Sequence, residues 1–242
     1  MEQQQIFFLI LIALLASFVQ GCTGFGFSIL AMSLWPLILP YKSAAAVTAL
    51  SAMVTIVYVT VKLRKYINFK LMLYPFLSST VISPIGVFAM LKGSDRLMQH
   101  ILGLVLILLS ACFIFYGGKI HIPQTPLNGL IAGVVSGLLS GLFNLGGPPM
   151  VIYYLSATED KMEYNATLQC YFALNGAVVI ALHILMGNFS LQIATYSAVA
   201  LIGVTAGTLA GYALFRKISL QMVRKSVYVF MLLFGFYLLI FG

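Results

Sequence analysis

The chain has 242 residues, of which 62% are hydrophobic and only 7% charged, against about 25% charged in an average soluble domain. That composition excludes a soluble core and defines a polytopic membrane protein. The net charge of +8 comes from lysines and arginines between the apolar runs, so it reads as loop charge beside anionic lipid and not as a nucleic-acid surface.

In chain order the apolar segments are 6–39, 43–61, 71–91, 97–116, 126–155, 164–186, 189–214 and 220–241. Six have the length of one crossing, about 20 residues. Segments 6–39 and 126–155 are longer, and each is interrupted by glycine: "SFVQGCTGFGFS" from Ser17 to Ser28, and "GLLSGLFNLGGPPM" from Gly137 to Met150. The start of the chain has the outline of a lipoprotein signal ending at Cys22. It lacks the positive n-region of one, and Gln20 sits badly two residues before a lipidated cysteine, so the segment is expected to stay in the membrane. Cys22, Cys112 and Cys170 all fall in apolar segments, an odd number with no metal or disulfide spacing.

The two interruptions are in register. A shift of 120 takes Gly21 to Gly141, Gly26 to Gly146, Gln20 to Ser140 and Arg96 to Arg216. One long broken segment followed by three ordinary spans therefore occurs twice, a pattern typical of transporters. Loop charge adds a topological constraint. If every segment crosses once, the basic residues divide without clear bias. If 126–155 enters and leaves on one side, Lys62, Arg64, Lys65, Lys70, Lys119, Lys161, Arg216, Lys217, Arg224 and Lys225 fall together, against Lys42, Lys92 and Arg96. Extended by symmetry to 6–39, this predicts an all-α polytopic membrane protein of two inverted repeats, 1–121 and 122–242. Each is a broken, re-entrant helical hairpin followed by three transmembrane helices, and together they form one membrane domain. Both termini are expected outside, with loops 62–70, 117–125, 156–163 and 215–225 inside.

Backbone amides freed at a break survive in a membrane only where protein or a polar cavity satisfies them. A helix starting there aims unpaired N–H groups and its positive dipole end into that cavity, which suits an anion. The restarts are expected near Phe27 and Pro148, and Pro148 and Pro149 suit a first helical turn. Polar side chains at the tips are Gln20, Thr23, Ser28, Ser140 and Asn144. All five acids lie in loops or at segment ends, and His183 is the one ionisable residue well inside a span. A cation substrate would lack a carboxylate, so the inventory favours a neutral or anionic solute. It also leaves an intramembrane enzyme without a nucleophile–base set or a metal site. His183 is read as bonded to a neighbouring helix or near the interface. Gln169 and Asn175 either line the cavity or bond between helices. The ladders Gly133/Gly137/Gly141 and Gly203/Gly207/Gly211 are read as packing faces. They could serve within one chain or between two, which leaves a homodimer open.

At "GCTGFGFSILAMSLWP" (21–36), "ISPIGVFAML" (82–91), "GVVSGLLSGLFNLGGPPMVIYYLS" (133–156) and "GVTAGTLAGYALFRKIS" (203–219), the chain resembles the TauE/SafE family of bacterial membrane transporters. The resemblance covers nearly the whole chain. It implies a secondary transporter in the bacterial inner membrane, with no cofactor, for sulfite, organosulfonates or similar small anions. It also implies Gly21, Gly24 and Gly26, with Gly141, Gly146 and Gly147, as motif residues. Where some members have an arginine this chain has Asn165, with Lys161 the nearby cation. The candidate substrate-binding set is Gly21, Thr23, Gly24, Gly26, Asn144, Gly146, Gly147, Gln169 and Asn175. Alternating access is the expected mechanism. An anion channel and a non-transporting assembly subunit are the alternatives: unsaturable flux marks the first, and an obligate partner without flux marks the second.

Overall fold

The computed structural model describes residues 3–116, 122–215 and 220–242, with no strand among them. Lys119, Arg216 and Lys217, counted above among the inside charges, lie outside the described residues, as does the Arg224 side chain. The helices are α1 (Gln3–Thr23), α2 (Phe27–Leu34), α3 (Tyr41–Leu63), α4 (Phe69–Lys92), α5 (Asp95–Tyr116), α6 (Pro126–Phe143), α7 (Gly147–Ala157), α8 (Lys161–Leu185), α9 (Leu191–Leu214) and α10 (Leu220–Phe241). Among the described residues seven helices are long and apolar enough to cross a membrane: α1, α3 with the turn that follows it, α4, α5, α6, α8 and α9.

Both long segments break where the glycines interrupt them, and both fold back. Gln5 near the start of α1 donates its side-chain amide to the Ile38 carbonyl at 3.0 Å, just past α2. Gln124, before α6, donates likewise to Ala157 at the end of α7. Each hairpin thus leaves and returns to one end of the molecule.

Glycine sets the tightest helix contacts. A Cβ on Gly137 would lie 2.7 Å from the Ser79 carbonyl oxygen, and Gly133 and Gly141 meet Pro75 and Ser83 in the same way, so α4 and α6 run parallel with backbones touching. On the other side Gly203, Gly207 and Gly211 step along Ile10, Leu14 and Phe18, which makes α1 and α9 a second parallel pair. Small residues permit this approach, and between helices in lipid, packing replaces the hydrophobic drive. Both ladders are therefore packing faces, as expected. The partners exchange under the shift of 120: α1 with α9 against α6 with α4, while α3 pairs with α8 and α5 with α10.

At the centre α3 and α8 run antiparallel. Asn188, just past α8, donates its side-chain amide to the Lys42 carbonyl at 3.0 Å. At the other end Val59 and Leu63 share a buried cluster with Ala166. Lys62, Arg64 and Lys65 consequently lie at the same end as Lys161, whose Nζ donates to the Phe215 carbonyl at 2.7 Å. Lys42 lies at the opposite end, where Asp95 accepts the Tyr41 amide at 2.9 Å and brings the turn between α4 and α5 alongside.

Candidate functional site

The first break is Gly24–Phe25–Gly26. Gly24 has φ +84° and Gly26 +108°, a region L side chains enter only under strain. The Thr23 hydroxyl donates to the Val19 carbonyl at 2.9 Å and accepts the Phe25 amide at 3.3 Å, tying the turn. Gln20 Oε1 accepts the Phe27 amide at 3.1 Å, at the start of α2. A backbone N–H only donates, so the Gln20 atom facing it is the oxygen and the rest of that amide offers N–H.

The second break is Asn144–Leu145–Gly146. Asn144 ends α6 at φ 57°. Its amide bonds back to the Ser140 carbonyl at 2.9 Å, and that of Leu145 to Leu139 at 3.1 Å, which satisfies the last carbonyls of the helix. Gly146 has an ordinary φ of −67°, so space is what demands glycine there. A Cβ would strike the Ser140 hydroxyl and lie 2.8 Å from that of Ser136. Ser136 donates to the Gly146 carbonyl at 2.6 Å and accepts the Tyr171 hydroxyl at 2.8 Å, pinning the tip to α8.

Gly26 and Gly146 carry no side chain that could cap α2 and α7, and at α2 Gln20 Oε1 from the preceding helix takes the Phe27 amide instead. The first turns of α2 and α7, Gly26 and Ser28 on one side and Gly146 to Pro148 on the other, line one cavity of about 60 Å³. A single water needs roughly 10–15 Å³ on that measure. Gln20, Ser140 and Asn144 complete the polar wall. Ala52, Met53 and Ile56 of α3, with Phe172 and Val179 of α8, form the apolar wall, and no lining residue is charged. The Ser28 and Ser140 hydroxyls make no hydrogen bond to another described residue, although Ser140 is only 6% exposed. The cavity can therefore offer donors and two positive helix ends to something small.

Of the residues expected at a substrate site, Gly26, Asn144, Gly146, Gly147 and Asn175 come together on this wall. Gly21, Thr23, Gly24 and Gln169 stand behind it. Gly21 packs on α9, where a Cβ would sit 2.9 Å from the Tyr212 nitrogen. Gly24 faces Asn165, and its carbonyl accepts Gln169 Nε2 at 2.7 Å, which hooks the first tip to α8. The second tip has a matching hook, Asn144 Nδ2 donating to the Ala45 carbonyl of α3 at 3.0 Å. Asn175 donates to the Ser79 and Ser83 hydroxyls at 3.2 and 3.1 Å.

Gln20, Ser28 and Ser140 at the tips, and the α3 face, also line the cavity although they are not among the residues expected there. Phe172, Asn175, Gly176 and Val179 follow the i, i+3, i+4, i+7 spacing of one helix face, so a signal for the α8 wall existed once Asn175 was chosen.

His183 lies off the cavity wall. Asn188 Nδ2 bonds both the Lys42 carbonyl and His183 Nδ1, at 3.0 and 2.8 Å, so the Asn188 atom is the donor and the ring nitrogen accepts. Lys161 does not reach inward. Besides its bond to the Phe215 carbonyl it lies 4.0 Å above the Phe215 ring. Cys22 and Cys170 are buried free thiols, and no group of metal-ligating side chains forms among the described residues.

An all-helical membrane protein with two broken hairpins closing on an uncharged, donor-lined cavity is built as a transporter. The chain belongs to the TauE/SafE sulfite exporter family, whose pattern it matches over residues 9–238; the family comprises transporters, not enzymes. It is also similar to the probable sulfite/organosulfonate exporter TauE of Cupriavidus necator. The two are 23% identical over 208 residues, covering 81% of this chain and 78% of the relative. No solved structure matches the chain.

Proposed function

We propose that this membrane transporter exports sulfite, an organosulfonate or a similar small sulfur oxyanion from the bacterial cell. The cavity between the two tips is its binding site, and Gly26, Asn144, Gly146, Gly147 and Asn175 act there together with Gln20, Ser28 and Ser140. The observation that carries this reading is the convergence of two glycine-led helix starts, from distant parts of the chain, on one cavity. Such ends attract negative charge without burying a lysine or arginine. Gly21, Thr23, Gly24 and Gln169 hold the tips in shape.

The halves 1–121 and 122–242 act as inverted repeats that exchange inner and outer access. The antiparallel run of α3 and α8, and the interchange of packing partners under the shift of 120, support this. The end carrying Lys62, Arg64, Lys65 and Lys161 faces the cytoplasm on charge, with both termini outside in the inner membrane. The test is counterflow of labelled sulfite in liposomes holding the purified protein. Saturable exchange that is lost in Gly26→Leu and Gly146→Leu proteins of normal fold is expected. Retained flux in both variants would overturn the site, and flux that never saturates would replace the carrier with a channel.

A further inference from the structure

The cavity also limits how much charge its occupant can carry. Each of the two helix starts supplies at most about half an elementary positive charge, since Gln20 already takes the Phe27 amide and Pro148 and Pro149 have no N–H to offer. The two together therefore compensate at most about one negative charge. The adjoining ends of α1 and α6 point partial negative charge at the same breaks. Their carbonyls are largely engaged, Gln20 by the Gly24 amide at 2.8 Å and Ser140 by the Asn144 amide at 2.9 Å, so they subtract from the total and add nothing to it. No lysine, arginine or histidine lines the wall. What remains is neutral: the Gln20 amide N–H and the hydroxyls of Ser28 and Ser140, with Ser140 buried and without a hydrogen-bond partner among the described residues. Removing a second, uncompensated charge from water is costly, and the few neutral donors on this wall offset only part of that cost.

The opposite wall is apolar, with Met53, Ile56, Phe172 and Val179 facing the tips. An occupant with one charged end and one weakly hydrated end matches both walls.

We propose that the site accepts singly charged oxyanions and rejects doubly charged ones, so that sulfite crosses as bisulfite and organosulfonates as R–SO₃⁻. This rests on the transport reading above and narrows its substrate class. None of the lining residues ionises near neutral pH, so any dependence of binding on pH reports the substrate's own protonation and not the site's.

The test uses the full chain in liposomes, with labelled sulfite counterflow followed from slightly acid to alkaline pH. Methanesulfonate, singly charged throughout, and sulfate, doubly charged throughout, serve as competitors. The inhibition constant of methanesulfonate is expected to be the same at every pH. Sulfate in hundredfold excess over methanesulfonate is expected to reduce flux by less than twofold. The half-saturating total sulfite concentration is expected to rise by about tenfold per pH unit once bisulfite is the minor species. Sulfate competing as well as methanesulfonate, or half-saturation flat across the pH range, would overturn the charge limit and leave anion transport standing. Absence of exchange for every anion tested, in folded protein, would overturn the transport reading and the charge limit with it.

Discussion

Gly137→Ala tests whether the α4–α6 contact is set by backbone and not by adaptable side chains. The added Cβ would lie 2.7 Å from both the Cα and the carbonyl oxygen of Ser79 and 3.1 Å from its carbonyl carbon. Ordinary contact begins at 3.4 Å, so the two helices must separate locally by 3.4 − 2.7 = 0.7 Å. The neighbours are main chain and cannot rotate away. Overpacking of this kind costs about 1–3 kcal/mol, while replacing a mid-helix glycine with alanine returns about 1 kcal/mol. A net loss of up to about 2 kcal/mol is expected. Gly147→Ala is the control, because its Cβ would meet only Phe172 and Phe25, both at 3.5 Å, and should leave stability unchanged. Unfolding of both variants in mixed micelles can be followed by fluorescence of Trp35, the sole tryptophan, which is fully buried against Phe27. A Gly137→Ala protein more stable than the parent by about 1 kcal/mol, the whole helix gain with no steric cost, would refute the backbone-limited contact and the ladder argument built on it.

Other expectations follow from particular contacts. Gly26→Ala forces an alanine to φ +108° and should cost about 1–2 kcal/mol, whereas Gly187→Ala, at φ +76° in open space, should cost a similar amount with transport intact; comparing flux with stability in the two separates site from strain. Thr55 and Thr208 share a buried hydroxyl–hydroxyl bond, so a double-mutant cycle with valine should give a coupling of about 0.5–1.5 kcal/mol, and a coupling near zero would place the bond outside the folding energetics. Lys161→Met removes the contact to the Phe215 carbonyl and ring. It should lower stability slightly without changing the half-saturating anion concentration, and a tenfold rise would show that Lys161 does reach the substrate.

The helices were legible because glycine and apolar run length mark them. The spans near 43–61, 71–91 and 97–116 became α3, α4 and α5 with only their ends moved. The breaks were legible too, but the division of labour among their glycines was not. Gly21, Gly24 and Gly26 read alike in "GCTGFG", yet Gly21 is there for α9, Gly24 for a left-handed turn against Asn165, and only Gly26 reaches the cavity. Those distinctions depend on which element packs behind each glycine, which local sequence does not contain. Gln169 and Asn175 show the same limit. Both sit on polar-tolerant turns of α8, and the height of the tip beside that helix decides that Gln169 hooks a carbonyl while Asn175 lines the wall. The α3 wall of alanine, methionine and isoleucine carried no signal, because its role is to be small and apolar where the tips meet.

The pairing of α1 with α9 has a consequence during synthesis. Thr23 and Leu191 are separated by 191 − 23 = 168 residues, which at roughly 5–20 residues per second takes on the order of 10–30 s to translate. Throughout that interval the face of α1 that α9 covers, Ile10, Leu14, Phe18 and Gly21, has no partner helix, because the small-residue ladder it fits has not yet been made. The first hairpin is thus a nascent element waiting for the last third of the chain, and lipid or another helix must cover meanwhile the backbone face that α9 covers in the finished protein.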